Sequence, residues 1–227
     1  MSSMNLLNNL REKIIRILHW DLEHFNVVQL SKDSYIHPSV ELKKSVIKGV
    51  VEIEEGCKII GGVTISSKSN LKIGRYTSII GPNTDVYCAI NSVKIGSFCS
   101  IARNVIFQEY NHRINRLSTY FIYQNIFGQD LKNDIVSNGD IEIGNDVWIG
   151  AHCVILGGAR IGNGAVIAAN SVVVGEIPAF AIAAGSPAKV IKYRFNPEKI
   201  QEIEEMQWWN WSLNKIINNK KLFFNKP

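Results

Sequence analysis

Between Ile143 and Val173 the chain places an aliphatic residue at every sixth position: Ile143, Ile149, Ile155, Ile161, Ile167 and Val173. Small or compact residues stand four places after each one: Val147, Cys153, Ala159, Ala165, Ser171 and Ile177. A period of six fits neither the 3.6-residue turn of an amphipathic helix nor the simple alternation of an isolated strand. It predicts a β-helix of hexapeptide repeats, in which each hexad supplies one short strand and one corner. Three hexads close a triangular coil, so like residues stack on like. Gly144, Gly150 and Gly162 follow the aliphatic position, where a Cβ would crowd a tight corner.

The same period recurs upstream, less cleanly. Ile53, Ile59 and Ile65 run with Cys57 and Val63, and Ile73 and Ile79 run with Thr77 and Asn83. Ile95, Ile101 and Phe107 run with Cys99 and Val105, and a weaker start stands at Ile36 and Leu42. The spacing slips at 66–71 and 85–93, and these slips read as small loops bulging from a corner. The expected domain is therefore an all-β coil over residues 35–192 with one large interruption, residues 108–140. That stretch has no hexads, yet Tyr110, Tyr120, Phe121, Tyr123, Ile126 and Phe127 give it surface to bury. It is expected to be an ordered excursion loop folded over the flank of the coil, and loops of this length are commonly functional.

Two segments without the repeat bracket the coil. Residues 4–25 show helical spacing, with Leu7, Leu10, Ile14, Ile17 and Leu18 on one stripe, so 1–34 is assigned as an N-terminal helical segment. Its basic residues allow a place on a membrane surface. Glu12, Asp21 and Glu23 favour packing on the protein instead. In the C-terminal helical segment, 193–227, Asn196-Pro197-Glu198 reads as a helix start, and the helix is expected to continue into Trp208-Trp209. Capping the open end of the coil is the natural role for either segment.

Composition narrows the classes further. The 227 residues suit one domain, and no apolar run approaches a membrane span. The N-terminus lacks a signal peptide's apolar core and cleavage site. Cys57, Cys99 and Cys153 occupy inward repeat positions and are expected to be small core residues, which makes a reducing cytoplasm the default location. The net charge of +5 comes with no nucleic-acid-binding motif, and Lys220, Lys221 and Lys226 supply much of it.

Histidine is the side chain best matched to proton transfer near neutral pH. His19 and His24 fall on the N-terminal segment, and His37 and His152 fall on coil positions that should face outward. Only His112 lies in the excursion, within Glu109-Tyr110-Asn111-His112-Arg113.

The hexad array, the block Ile143-Gly144-Asn145-Asp146-Val147-Trp148-Ile149-Gly150 and the ending Ala184-Gly185-Ser186-Pro187-Ala188-Lys189 resemble the hexapeptide-repeat acyltransferases. Ile95-Gly96-Ser97-Phe98-Cys99-Ser100-Ile101, Asn111-His112-Arg113, Ser118-Thr119-Tyr120 and the tryptophans 208, 209 and 211 are similar to the xenobiotic branch, which holds streptogramin and chloramphenicol acetyltransferases. The matches cover roughly residues 95–215. The resemblance implies a left-handed parallel β-helix, acetyl-CoA as donor, no metal, and a homotrimer with active sites between subunits. It implies His112 as general base and places acetyl-CoA contacts at Ala151, Ala169, Val174 and Gly175. Lys189 and Lys192 match the basic positions that meet the nucleotide phosphates. Asn111, Tyr110, Tyr120 and Trp148 are the matching candidates for the acceptor side, with Trp148 expected to face outward.

The departures concern the acceptor. The antibiotic branch has an Asp after the His and a Pro after Ser-Thr-Tyr; here Asn115 stands one residue further on and Phe121 follows Tyr120 directly. The longer coil before Ile95 looks more like the O-acetyltransferases of surface glycans. A saccharide hydroxyl is therefore the expected acceptor, with an antibiotic hydroxyl as the alternative. A zinc-dependent hexapeptide carbonic anhydrase would need three converging histidines, which the spacing does not offer. A non-catalytic β-helical scaffold would leave the aromatic excursion and the Asn-His pair without a purpose.

Overall fold

The computed structural model describes residues 25–224, and they form a left-handed parallel β-helix of about 8 turns with helices at its C-terminal flank. The expected helix over residues 4–25 falls almost wholly outside the described residues. The first described strand, Val27–Leu30, pairs parallel with Val46–Gly49, so the sheet begins before residue 35.

Each coil contributes strands to three faces. On the first face Ile47, Ile65, Val86, Phe107, Ile155 and Val173 stack inward in register. On the second the row is Ile53, Ile73, Ile95, Ile143, Ile161 and Ile177. On the third it is Leu42, Ile59, Ile79, Ile101, Ile149, Ile167 and Ala183. The repeat isoleucines from Ile143 to Ile167 are at most 3% exposed, as their period requires. Cys57, Cys88, Cys99 and Cys153 are free and buried among them. Burial pushes the Cys57 thiol up to about 11 and the Cys99 thiol up to about 12, which leaves both unreactive core groups. At Gly150 an added Cβ would lie 2.7 Å from the Ala169 amide of the next coil, so the corner has no room for one.

Two expected loops divide. Residues 89–92 do leave the sheet, but 66–71 belong to one continuous strand, Val63–Ile73, which bends around the corner and serves two faces. The slip there is absorbed by the bend without a loop. Asn83, expected inward, is exposed at a corner with φ +56°, and Thr84 is the buried residue. The corner Gly81-Pro82-Asn83 holds one residue more than a hexad allows and shifts the register by one.

Outward rows differ in chemistry from face to face. The second face carries Glu52, Lys72, Lys94, Glu142, Arg160 and Glu176 in register. The third face, by contrast, carries Trp148, Val166 and Ile182 in one row, and the first carries Ile106, Val154 and Val172 in another. These two apolar rows flank the corner that holds Ala151 and Ala169.

After the last coil, Ala188–Tyr193 turns back antiparallel on Ala181–Gly185. The helix Pro197–Met206 then starts as its sequence requires: the Asn196 side chain accepts from the Lys199 amide at 2.9 Å, and Pro197 takes the first helical position. It does not continue into the tryptophans. Gln207 adopts a left-handed conformation, φ +44°, and Trp208–Asn210 forms a separate turn of 3-10 helix. The segment runs back along the coil from its last turn, where Phe195 packs 5.9 Å from Phe180. It lies along one corner, with Glu204 accepting from Asn163 at 3.1 Å and Trp208 packed 4.9 Å from Phe98 in an earlier coil. Arg75 fastens its far end by donating to the carbonyls of Trp209 and Trp211.

Candidate active site

The excursion leaves the first face after Gln108, and its root is tied to the coil above. Glu109 is completely buried, and its carboxylate accepts from the amides of Ala89, Ile90 and Asn91 at 3.0, 3.2 and 2.6 Å and from the Asn91 side chain at 3.0 Å. A buried carboxylate needs such donors, since an unpaired charge there is costly. At the other root Asp140 accepts from the Ser92 amide at 2.7 Å. The loop 89–92 is therefore the anchor for both ends of the excursion. Ser137 Oγ closes the root by donating to the Glu109 carbonyl.

Within the excursion, Asn111–His112 pairs antiparallel with Ile135–Val136. Thr119, Phe121 and the short helix Ile122–Asn125 lie between these two strands in sequence. His112 Nδ1 stands 2.7 Å from the Thr119 carbonyl oxygen. A carbonyl can only accept, so Nδ1 carries the hydrogen and the neutral imidazole keeps its lone pair at Nε2. The Phe121 ring lies 4.1 Å from the imidazole with only 9° between planes. One contact sets the tautomer and the other sets the ring plane. That combination gives an exposed histidine a defined basic atom.

The neighbouring candidates take different positions. Tyr110 leans back on the coil, its ring 5.8 Å from Tyr87 and edge-on to it, and burial pushes its hydroxyl up to about 12. It can donate a hydrogen bond but is a poor base at neutral pH. Asn111 and Tyr120 are exposed, the latter with its amide bonded to Ser118 Oγ at 3.1 Å. Trp148 is 57% exposed on the third face, as its alternation with buried Val147 requires. Lys192 shares that outward row through Val166 and Ile182, three strands away or about 14 Å at ordinary strand spacing. Lys189 is exposed on the same returning strand.

Ala151 and Ala169 stack at the corner between the third and first faces, where the Asn170 amide bonds the Ala151 carbonyl at 3.0 Å. Val174 and Gly175 sit at the next corner, the one below the excursion. The four residues thus do not form one groove within a single chain. They do share a property. Among the described residues, no backbone carbonyl accepts from the amides of Ala151, Ala169, Val174 or Gly175. Unpaired donors beside small side chains are what the amide carbonyls of a pantetheine arm need.

His152 is on the same corner as Ala151 with φ +62°, and its Nε2 is 3.3 Å from Asn104 Nδ2. Its contact is with a coil asparagine and not with the excursion. In the sequence Glu109 and Thr119 stood out only as members of short motifs and Phe121 as an excursion aromatic and a departure from the family pattern, while Asp134 did not stand out. Neither Glu109 nor Asp134 carried a distinguishing signal, since both stand among polar residues. The role of Thr119 is played by its backbone, so its side chain gave none.

Comparison with known proteins agrees with the architecture. The bacterial transferase hexapeptide family, described by six repeats, matches residues 140–175. A probable macrolide acetyltransferase of Lysinibacillus sphaericus is 43% identical over 136 residues, spanning 56% of this chain and 74% of that protein. A chloramphenicol acetyltransferase of Morganella morganii is 39% identical over 65% of this chain and 79% of its own length. The galactoside O-acetyltransferase of Escherichia coli (strain K12) is 34% identical over 70% of this chain and 72% of its own length. With a repeat coil, a structured excursion and relatives at this identity, the chain belongs to the hexapeptide-repeat acetyltransferases and is an acetyl-transferring enzyme.

Proposed function

We propose that the protein is an acetyl-CoA-dependent O-acetyltransferase in which His112 is the general base and a saccharide hydroxyl is the acceptor. The observation that carries the base assignment is the fixed imidazole: Nδ1 held by the Thr119 carbonyl, the ring stacked on Phe121 and the lone pair left at Nε2. A hydroxyl is a weak nucleophile until its proton is removed. Nε2 accepts that proton as the oxygen attacks the thioester carbonyl, and the resulting oxyanion is stabilised by a backbone N–H of a coil corner. Collapse breaks the carbon–sulfur bond, and the imidazolium returns its proton to the leaving thiolate. The buried, proton-retaining cysteines take no part, and no acyl-enzyme is needed.

The donor's place follows from the unpaired amides. Ala151, Ala169, Val174 and Gly175 offer hydrogen bonds to pantetheine, with Lys189 and Lys192 for the phosphates. Because the two pairs of amides lie at different corners, the reading includes a second copy of the chain. In a homotrimer the apolar rows of Trp148, Val166 and Ile182 and of Ile106, Val154 and Val172 are covered, while the charged second face stays in water. Tyr110, Asn111, Tyr120 and Trp148 then border the acceptor. No helix among the described residues is long and apolar enough to cross a membrane. An acetyl-CoA donor and free, buried thiols support a cytoplasmic location.

The saccharide reading rests on the coils before Ile95, which lengthen the solenoid by residues 27–92. An antibiotic hydroxyl is the second reading, favoured by the names and identities of the macrolide and chloramphenicol relatives. A turnover screen of acetyl-CoA against glycans, nucleotide sugars and antibiotics separates the two. With the acceptor in hand, His112→Ala is expected to lower turnover by roughly 10²-fold or more while acetyl-CoA affinity, read by calorimetry, stays nearly unchanged. Near-normal turnover of this variant from about pH 6 to 8 would remove His112 from the base role.

A further inference from the structure

The residue that brings the two supports of His112 together is not itself in contact with the imidazole. Asp134 is 4% exposed, deep in the excursion, and it bonds in two directions. Its carboxylate accepts from the amides of Tyr123 at 3.1 Å and Gln124 at 2.8 Å, the first turn of the helix Ile122–Asn125. Its backbone carbonyl accepts from the Arg113 amide at 3.1 Å, one residue beyond His112. Phe121 immediately precedes that helix, and Thr119 lies two residues before Phe121. One side of Asp134 therefore holds the strand that carries the imidazole. The other holds the segment that supplies both the stacking ring and the carbonyl partner.

We propose that Asp134 is a positioning residue for acetyl transfer, clamping the segment 119–124 against His112 so that the Nδ1–H tautomer and the ring plane are fixed. The proposal rests on the reading of His112 as the base. Its physical basis is that an exposed imidazole left to itself rotates about χ1 and χ2 and exchanges its proton between the ring nitrogens. The Nε2–H form, which a free histidine side chain favours, blocks the atom that must accept the hydroxyl proton. A contact with one carbonyl and one ring resists this only while the carbonyl and the ring stay in place. The clamp is a buried carboxylate serving two backbone donors, and the burial makes it costly to leave those amides unpaired. Sub-ångström placement of a catalytic group is where such a clamp acts on rate.

The test compares the full chain with Asp134→Ala, which removes both acceptors, and Asp134→Asn, which keeps one. Asp134→Ala is expected to lower kcat about 10-fold or more with the acetyl-CoA KM within about twofold, and Asp134→Asn to recover part of the loss. The decisive readout needs no turnover. Nitrogen-15 NMR of the neutral His112 ring should report the Nδ1–H tautomer in the parent and a shift toward Nε2–H in Asp134→Ala. Phe121→Leu, which leaves the Asp134 bonds intact, stands in should Asp134→Ala not fold, and it should give the same direction in kcat and tautomer. Should the Asp134 variants fold with parental kcat and an unchanged tautomer, the proposal is overturned, and so it is if Phe121→Leu leaves both unchanged. If His112→Ala proves active, the base assignment falls instead, while the tautomer measurement still decides whether Asp134 sets the ring.

Discussion

Gly157→Ala is the substitution that couples the rigid coil to the excursion most directly. Gly157 is a buried corner residue beneath the root of the excursion. A Cβ built there would fall 2.1 Å from the Glu109 carbonyl oxygen and 2.8 Å from Ser137 Oγ. Restoring ordinary van der Waals contact requires the root to lift by about 1 Å. The coil below cannot yield, because its interior is close-packed on three sides by stacked rows. The root cannot yield freely either, since the Glu109 carboxylate is held by three amides and one side chain of the loop 89–91. Overpacking of this kind costs about 1–3 kcal/mol. His112, the proposed base, is three residues past Glu109, and a displacement of about 1 Å at such a group costs on the order of 10²-fold in rate. Urea denaturation reads the first number, and a steady-state assay of released coenzyme A thiol reads the second. Gly175→Ala is the stability control: no atom lies within 4 Å of its added Cβ, so its unfolding midpoint should match the parent. If Gly157→Ala keeps both parental stability and parental kcat, the root is not pinned as described and the steric argument fails.

The remaining predictions concern the core thiols and the assembly. The folded thiols of Cys57 and Cys99 are raised, to about 11 and about 12, so their contribution to stability is complete below the ordinary value of 9.0 and is lost as pH rises through the folded values. Unfolding free energy should therefore decline above about pH 9, and a thiol reagent at about pH 8 should label the protein only after denaturation; rapid labelling of the folded enzyme would contradict the buried assignment. Sedimentation equilibrium should show a trimer, and Ile106→Lys, which charges an outward position already 38% exposed in the single chain, should weaken it without unfolding the coil. A stable monomer with full activity would refute the shared site.

Much of the fold was legible because a β-helix is a local code. Each hexad makes its own strand and corner, and the stacking of one coil on the next only repeats what the sequence states. The inward isoleucines, the outward Trp148 and the Asn196-Pro197 helix start could all be read from spacing of a few residues. Where one extra residue entered a corner, as at Gly81-Pro82-Asn83, the same code misled by one position. At 66–71 it suggested a loop where a strand bends, because spacing reports a slip and not how the backbone takes it up. The docking of the C-terminal segment was hidden for another reason. Arg75 and Trp209 are separated by 134 residues, and their contact is a side chain meeting a carbonyl, which leaves no pattern along the chain.

The candidate site divides along the same line. Sequence by itself determined the repeat, the place of the excursion and the single histidine within it, since period, interruption and residue type are all one-dimensional properties. Tertiary structure alone decided that His112 meets the Thr119 carbonyl and the Phe121 face, that the Asp134 carboxylate accepts from the amides of Tyr123 and Gln124 just beyond them, and that Glu109 roots the loop on the preceding coil. These are contacts made by a non-repeating segment folding back on itself, where geometry depends on which backbone groups find buried acceptors. It also decided that the unpaired amides of Ala151 and Ala169 and those of Val174 and Gly175 stand at different corners of the prism. Three-sided winding puts successive corners on different edges, so residues close in sequence are separated in space.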